Sequence, residues 1–300
     1  MMWIMALWAS SRVRRPTVAG QFYEEDGQRC GEEARRLCRP YDDEEMPPTL
    51  CGAMVPHAGW VFSGRVAGGT LATLARHTEA KTFVLTGSVH TMDLARPATD
   101  SAEAWMTPLG EVPVDGPLRE AINALDEFEC RDAAHRHEHS LEVQLPLMQT
   151  ALADVFAIVP CLIPVRQGAV PWGRALGELL RRWSKPVAMI ASTDLTHYGP
   201  NYGFHPQGVG EEGRRWASEV NDRALLALAE EMAAERALEH AAKKRSACGG
   251  GAIAATIAAC KEMGAARGYV LDHTDSAREG AAIGYRDKVN SVGYGGVVFG

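Results

Sequence analysis

Residues 51–90, CGAMVPHAGWVFSGRVAGGTLATLARHTEAKTFVLTGSVH, contain two short apolar runs separated by one longer amphipathic run. The runs at 52–55 and 82–86 have the length and composition of buried strands, and 65–76 predicts a helix between them. Strands that alternate with helices along a chain are typical of an α/β domain. Each predicted strand is followed at once by a turn that contains a histidine, so this stretch bears on function as well as on fold.

The same alternation continues to the end of the chain. Further strands are predicted at 111–114, 155–163, 187–191, 268–272 and 292–299, and helices at 117–127, 141–152, 169–183, 214–229, 233–242 and 251–263. No proline- or serine-rich linker and no internal repeat divides them. We therefore expect residues 12–300 to form a single α/β domain, with a central, mostly parallel or mixed sheet flanked by helices.

Composition narrows the classes of function. The 300 residues carry a formal net charge of −7, so no broad electropositive field is available for nucleic acid, which is not an expected partner. The seven cysteines are odd in number and form no Cys-x-x-Cys pair, which favours a reducing compartment and a cytoplasmic location. Residues 1–11 predict a short disordered leader, and no stretch is long and apolar enough for a membrane span.

Two histidines follow the first two predicted strands. His57 lies in the turn PHAGW and His90 in the turn GSVHT. In open α/β sheets, ligands bind outside the carboxyl ends of the strands, and two neutral imidazoles there would begin a metal site. The alternative for each is a loop histidine that makes local hydrogen bonds.

A third histidine cluster, HRHEHSLE at 135–142, precedes a predicted amphipathic helix for which Ser140 is a candidate cap. For His139 and Glu138 we consider a role in a site and a place on a solvated, charged helix start as equal alternatives. For His135 and His137 the solvated position is the favoured interpretation. The spacing differs from the His-Glu-x-x-His motif of zinc proteases.

The sequence ASTDLTHYG at 191–199 again follows an apolar strand. Asp194 and His197 are three residues apart, so a helical turn would place carboxylate and imidazole on one face. The carboxylate would then orient the imidazole and raise its basicity, as a general acid/base requires. The alternative is a capped turn in which Asp194 accepts hydrogen bonds from backbone N–H groups.

Cys248 stands at the start of a predicted helix rich in small residues, SACGGGAI. A helix N-terminus favours the thiolate, which is the form that binds metals. The glycines allow close approach of another backbone or of a ligand. Cys51, Cys161 and Cys260 lie in apolar runs and are predicted to be unreactive core thiols.

In order and spacing, six motifs together resemble the Memo family, whose bacterial members are called AmmeMemoRadiSam system protein B. The resemblance covers about residues 12–299 and implies a fold related to the class III extradiol dioxygenases, which cleave catechol rings with non-heme iron(II). The motifs are RPTVAGQFY at 15–23, PHAG at 56–59, GSVH at 87–90, EHSLEVQLP at 138–146, STDLTH at 192–197 and ACG at 247–249.

On the matching positions, the resemblance implies that His57, His90 and Cys248 are ligands of iron(II), with zinc or copper as alternative metals. It implies that Asp194 and His197 line the site and that His139 lies nearby. A cysteine stands where the dioxygenases have a carboxylate, and a thiolate changes the charge, softness and redox poise of the iron.

The sequence departs from the usual family pattern at two places beside these residues. Trp60 stands where tyrosine is usual, and Ser88-Val89 replaces a proline-containing pair before His90. We expect Trp60, Glu138 and Tyr198 to contact the substrate.

The leading hypothesis is therefore an oxidoreductase, such as a dioxygenase, that acts with O2 on a small phenolic or catecholic substrate. His197, oriented by Asp194, and His139 would move protons. The family name further implies a functional link to a radical SAM protein. The alternatives are a non-catalytic adaptor whose cleft binds a peptide or an anion, and a zinc-dependent hydrolase that uses the same residues.

Overall fold

The computed structural model describes residues 12–42 and 46–300. Within these residues the strands belong to two sheets, a small three-stranded one and a nine-stranded one. The strands are β1 Val13–Arg14, β2 Gly52–Val55, β3 Thr82–Gly87, β4 Ala98–Thr99, β5 Ala104–Thr107, β6 Gly110–Pro113, β7 Glu129–Cys130, β8 Ala157–Leu162, β9 Val187–Ser192, β10 His197–Tyr198, β11 Gly268–Asp275 and β12 Ser291–Phe299.

The helices lie between these strands along the chain. They are α1 Gly27–Leu37, α2 Trp60–Arg76, α3 Gly116–Asn123, α4 Asp132–His135, α5 Leu145–Leu152, α6 Ala169–Arg181, α7 Glu211–Trp216, α8 Arg223–Glu230, α9 Ala234–Lys244, α10 Gly250–Glu262 and α11 Ser276–Ala282. Short 3₁₀ turns cover Glu142–Gln144 and Pro200–Tyr202, and a π-helical turn covers Ala217–Asp222.

The large sheet has four parallel strands at its centre. Its order is β10-β12-β2-β9-β3-β8-β4-β7, and β11 pairs with β12. Strands β2, β9, β3 and β8 are parallel, whereas β12 and β4 run antiparallel to their neighbours β2 and β8. In this register Val55 and Gly87 both lie opposite Ser192, so β2, β3 and β9 end at the same level. We call this boundary, the carboxyl ends of β2, β3 and β9, the site edge.

Helices cover both faces of the sheet, and alternate residues of a strand therefore enter different cores. Phe83 and Leu85 pack on the face covered by α1, α2 and α5, while Val84 packs on the face covered by α6 and α10. All three side chains are fully buried. This two-sided burial explains why the central strands are continuous apolar runs in the sequence instead of alternating ones.

The predicted fold class is confirmed, and each of the seven predicted strands is present. The short strands β1, β4, β5, β7 and β10 were not predicted, because runs of two to four residues carry no detectable periodicity. The helix predicted over 214–229 corresponds to α7, the π-helical turn at Ala217–Asp222 and α8, which follow one another without a break. The predicted leader at 1–11 lies outside the described residues. Among the helices of the described ranges, none has the length and apolarity needed to cross a membrane.

Candidate metal centre

The turns after β2 and β3 deliver one imidazole each to the site edge. His57 is buried, with 2% of its surface exposed, and its backbone N–H donates to Asp194 Oδ1 at 2.7 Å. The backbone N–H of His90 donates to Glu138 Oε2 at 2.7 Å. Each histidine therefore has its main chain held by a buried carboxylate from another segment, which fixes the position of the ring.

A third imidazole comes from the segment that precedes the 3₁₀ turn at Glu142–Gln144. The ring centroid of His139 lies 4.8 Å from that of His90 and 5.4 Å from that of His57, and the other two rings are 5.2 Å apart. One ring nitrogen from each of the three histidines lies within 4.8 Å of the others, so this group could hold a metal ion.

Cys248 completes the cluster from the turn before α10. Its Sγ lies 3.3 Å from His57 Nε2 and accepts a hydrogen bond of 3.3 Å from the backbone N–H of Asp194. Desolvation alone would raise the pKa of this thiol, but the adjacent imidazoles of His57 and His90 lower it well below its ordinary value. The sulfur is thus favoured as a thiolate, which is the form that binds metals.

Glu138 supports the second imidazole. This buried carboxylate, 1% exposed, lies 2.9 Å from His90 Nδ1 through Oε1. Burial opposes charge on either group. Hydrogen bonds with Cys248 and with Glu138 nevertheless raise the pKa of His90 to about 10, and the bond with His90 lowers that of Glu138 to about 2. Because Oε1 holds the Nδ1 proton, Nε2 is the nitrogen that a metal would bind, and binding would release the second proton that the raised pKa leaves on the ring at neutral pH.

The spacing of these donors is close to what a single ion requires. Two nitrogens that bind one tetrahedral ion at about 2.1 Å lie about 3.4 Å apart, and a nitrogen and a sulfur on such an ion lie about 3.6 Å apart. The 3.3 Å between Cys248 Sγ and His57 Nε2 is close to this value, whereas the imidazole nitrogens, which lie within 4.8 Å of one another, would move closer together by side-chain rotation. Imidazole and thiolate donors suit iron, zinc and copper.

Asp194 and His197 lie beside the cluster, but the local structure predicted for them is wrong. Asp194 is in an irregular loop and His197 begins β10, so no helical turn joins them. Oδ1 of Asp194 does accept a backbone N–H, as in the alternative interpretation, but the donor is His57 in another segment and not a residue of the same turn. The ring of His197 instead packs edge-on against Tyr202, with centroids 5.0 Å apart. Burial raises the pKa of Asp194, and His57 opposes that shift.

The contacts of Trp60 and Tyr198 lie outside this cluster. Trp60 is buried at the start of α2, where its indole N–H donates to the Val143 carbonyl at 3.1 Å and its ring packs against Tyr23. The hydroxyl of Tyr198 donates to the Gly208 carbonyl at 2.7 Å. These bonds tie separate segments of the scaffold together.

Two expectations about the segment 135–140 are wrong. His135 is not solvated: it is 1% exposed, and its Nε2 lies 2.9 Å from the Ala98 carbonyl, because β4 and Trp105 enclose the ring. Ser140 is not a helix cap, because its hydroxyl donates to the Ser88 carbonyl and the helix that follows begins only at Leu145. His137 is exposed, as expected.

The glycines after Cys248 serve close packing. A Cβ atom added at Gly249 would lie 2.6 Å from Ser88 Oγ, and one added at Gly251 would lie 2.3 Å from the Pro164 carbonyl oxygen. Neighbouring protein atoms thus occupy the space around these glycines. They allow α10 to lie against the site edge and bring Cys248 to His57.

Sequence reasoning missed the role of Glu142. This fully buried carboxylate accepts hydrogen bonds from the backbone N–H groups of Thr17 and Val18, at 2.8 and 2.9 Å, and from the Tyr23 hydroxyl at 3.0 Å. Arg14 pairs with it at 2.8 Å. Glu142 therefore anchors the N-terminal segment against the site. The N-terminal segment and the segment that contains Glu142 are both among the six motifs, which was a signal that each matters. No sequence rule, however, predicts that the two segments contact each other.

The anchored segment places Phe22 over the cluster. Its ring centroid is 4.8 Å from that of His139. Phe22 thus places an aromatic ring beside the His139 imidazole, although sequence reasoning did not single it out.

Comparison with known proteins identifies relatives along almost the whole chain. The model of the family described as Memo-like protein matches residues 14–298. A protein of Archaeoglobus fulgidus described as a MEMO1 family protein is 36% identical, covering 96% of this chain and 99% of its own, and one from Methanosarcina barkeri is 33% identical, covering 91% and 98%. An uncharacterised Escherichia coli K12 protein of known structure superposes with a TM-score of 0.53 at 10% identity, over 84% of this chain and all of its own, which shows a shared fold.

Proposed function

The chain belongs to the Memo family, and on that basis we propose that it is a mononuclear non-heme iron(II) oxidoreductase that acts with O2 on a small phenolic or catecholic substrate. The observation that carries the proposal is the meeting of His57, His90 and Cys248 at the site edge, with His139 beside them. Family membership also supports a functional link to a radical SAM protein.

The proposed ligands are the imidazoles of His57 and His90 and the thiolate of Cys248. The ion would supply a redox-active centre with coordination positions left for O2 and substrate. His57 is buried, whereas the side chain of His90 is 33% exposed and that of His139 22% exposed. The cluster is therefore open to solvent on the side of His90 and His139, where we place the substrate.

The remaining polar groups hold and move protons. Burial and the neighbouring imidazoles lower the pKa of His139 to about 4, so this ring is neutral at pH 7 and offers a lone pair to which a phenolic hydroxyl can donate a hydrogen bond. His197, which lies close enough to help lower the pKa of Cys248, is the second residue that would hold or move a proton. Asp194 keeps the His57 main chain in place, and Phe22 offers an aromatic ring against which a planar substrate could pack.

Anaerobic reconstitution with iron(II), followed by elemental analysis, tests the ligand set. We expect wild-type protein to bind one iron per chain, and His57→Ala and Cys248→Ser to lose it. His137→Ala, which changes an exposed histidine of the adjacent segment, is the matched control and retains iron. Oxygen uptake with catechols and simple phenols then tests the reaction. Full iron retention by both ligand variants would refute the assignment.

The three-histidine group favours one second candidate, a zinc-dependent hydrolase. Three imidazoles are a common catalytic zinc set, and His57, His90 and His139 have the required proximity. This alternative predicts that His139→Gln loses metal and Cys248→Ser retains it, the reverse of the iron proposal. It also predicts that elemental analysis of protein purified without air finds zinc and no iron.

A further inference from the structure

A buried chain of hydrogen bonds lies behind His57 and ends at two residues that are not metal ligands. His57 Nδ1 is 3.1 Å from Ser192 Oγ, and the Ser192 hydroxyl is 2.5 Å from the Ser140 carbonyl oxygen. Gln144 Nε2 is 3.1 Å from Ser192 Oγ and 2.8 Å from the Pro56 carbonyl oxygen. Neither Ser192 nor Gln144 has any exposed surface, so water does not compete for these bonds.

Counting donors and acceptors fixes the direction of each bond. A carbonyl oxygen only accepts, so the Ser140 carbonyl takes the single hydroxyl proton of Ser192. An amide nitrogen only donates, so Gln144 Nε2 occupies a lone pair of the same hydroxyl. Ser192 Oγ therefore has only a lone pair left for His57, and Nδ1 of His57 must carry the proton.

The orientation of the Gln144 amide is itself determined. With oxygen and nitrogen exchanged, Oε1 would lie 2.8 Å from the Pro56 carbonyl oxygen, which would bring two acceptors together. In the observed orientation Oε1 of Gln144 is buried without a hydrogen-bond partner among the described residues. A buried acceptor without a partner destabilises the fold, so stability alone does not explain a glutamine here.

We propose that Ser192 and Gln144 are positioning residues that lock His57 in the tautomer with the proton on Nδ1, which keeps the Nε2 lone pair directed at the metal position next to Cys248. The inference rests on the proposed metal-binding function and deepens it. His57 thus has a neutral hydroxyl–amide support, whereas His90 is supported by the carboxylate of Glu138.

Zinc serves as the probe, because it is diamagnetic and suits the same donors. In zinc-loaded protein with ¹⁵N-labelled histidine, long-range ¹H–¹⁵N correlation spectra distinguish the protonated ring nitrogen from the metal-bound one. We expect His57 to show a protonated Nδ1 and a zinc-bound Nε2. Binding of zinc through Nδ1 of His57 would overturn the proposal.

Two substitutions test the positioning residues through the zinc dissociation constant. Ser192→Ala removes the acceptor of the Nδ1 proton, and we expect the dissociation constant to rise roughly 10- to 100-fold, as for other partners of metal-bound histidines. Gln144→Met leaves Ser192 in place but removes the amide that donates to it and to the Pro56 carbonyl, and it is expected to raise the constant roughly 10-fold, at the lower end of that range. Ser218→Ala is the matched control, because Ser218 is a buried serine whose Oγ has no partner among the described residues, and it should leave the constant unchanged.

Wild-type affinity in both Ser192→Ala and Gln144→Met would refute the proposal while leaving metal binding intact. If wild-type protein bound no zinc and no iron, the proposed function would fail instead. The tautomer is then read in metal-free protein at the alkaline end of a pH titration, where a neutral His57 with its proton on Nε2 would overturn the inference and one on Nδ1 would support it. That spectrum also provides the test if the variants do not fold.

Discussion

The two ends of helix α10 present cysteines to very different surroundings. Cys248, two residues before the helix, faces the imidazoles of His57 and His90, and its pKa is well below the ordinary value of a thiol despite desolvation. Cys260, in the last turn, is fully buried and its Sγ lies 3.9 Å from the carbonyl oxygen of Cys51. Burial raises the pKa of Cys260 well above the ordinary value.

Strand β2 and helix α10 together form the surroundings of both cysteines. Cys51 directly precedes β2 and His57 follows it, so β2 and α10 bring a thiol and an imidazole together at the site edge and two thiols together at the opposite end. The difference teaches that desolvation raises the pKa of a buried thiol, and that neighbouring imidazoles lower it by favouring the thiolate.

The largest expected effect is on thiol reactivity in the metal-free protein. Iodoacetamide should modify Cys248 at least about 100-fold faster than Cys260, because thiolate fraction and access both favour Cys248. Mass spectrometry of the peptides after timed quenching measures both rates. In denaturant the two rates should become similar, and equal rates in the native protein would contradict the comparison.

The next effect concerns Glu138, the carboxylate that supports His90 at the site edge. Glu138→Gln should raise the metal dissociation constant roughly 10- to 100-fold, because the amide no longer offers His90 a charged acceptor. Competition with a coloured chelator gives the constant. Glu178→Gln, on the exposed side of α6, is the control and should bind metal as the wild type does. A similar constant for Glu138→Gln and wild type would show that the support is dispensable.

Serine substitutions at the two ends of α10 should separate stability from binding. Cys260→Ser places a hydroxyl in an apolar site and should lower the free energy of unfolding by about 1–3 kcal/mol while leaving metal affinity unchanged. Cys248→Ser should have the opposite pattern, a metal-free stability close to that of wild type and little metal bound. Urea unfolding of the metal-free proteins, with metal analysis of parallel samples, measures both. Loss of metal in Cys260→Ser would contradict the division of roles.

The smallest expected effect is on the pH dependence of stability, and it arises because burial also shifts the pKa of an imidazole. Burial lowers the pKa of His135 to about 4, whereas its partners raise that of His90 to about 10. His135 is neutral when folded and binds a proton more readily when unfolded, so its contribution to stability is complete above about pH 6.5 and decreases as the pH falls toward 4. Between pH 7 and pH 5 this loss amounts to about 1–2 kcal/mol.

The difference in unfolding free energy between wild type and His135→Gln measures this effect. A difference is needed because burial raises the pKa of Asp100 to about 6, and a raised carboxyl pKa changes stability in the opposite direction over the same pH range. Wild type should lose more stability than His135→Gln on acidification. Parallel pH profiles would refute the shift assigned to His135.

The central sheet was predictable because its strands are apolar runs that can be recognised from their length and composition alone. The range predicted for β2 equals the observed Gly52–Val55, and β12, predicted at 292–299, begins one residue earlier. Segments that depend on distant partners were not predictable. His135 looked solvated within its charged neighbourhood, yet β4 and Trp105 enclose it.

By itself, the sequence determined the α/β architecture and the positions of His57 and His90 after consecutive strands, because hydrophobic periodicity and strand ends are local properties. Only the tertiary structure decided which groups meet. It brought Cys248 to His57 across 191 residues of chain, placed Ser192 and Gln144 behind that imidazole, and used Glu142 to anchor the N-terminal segment. Such contacts follow from the register of β2, β9 and β3 and from the packing of α10, which no local pattern encodes.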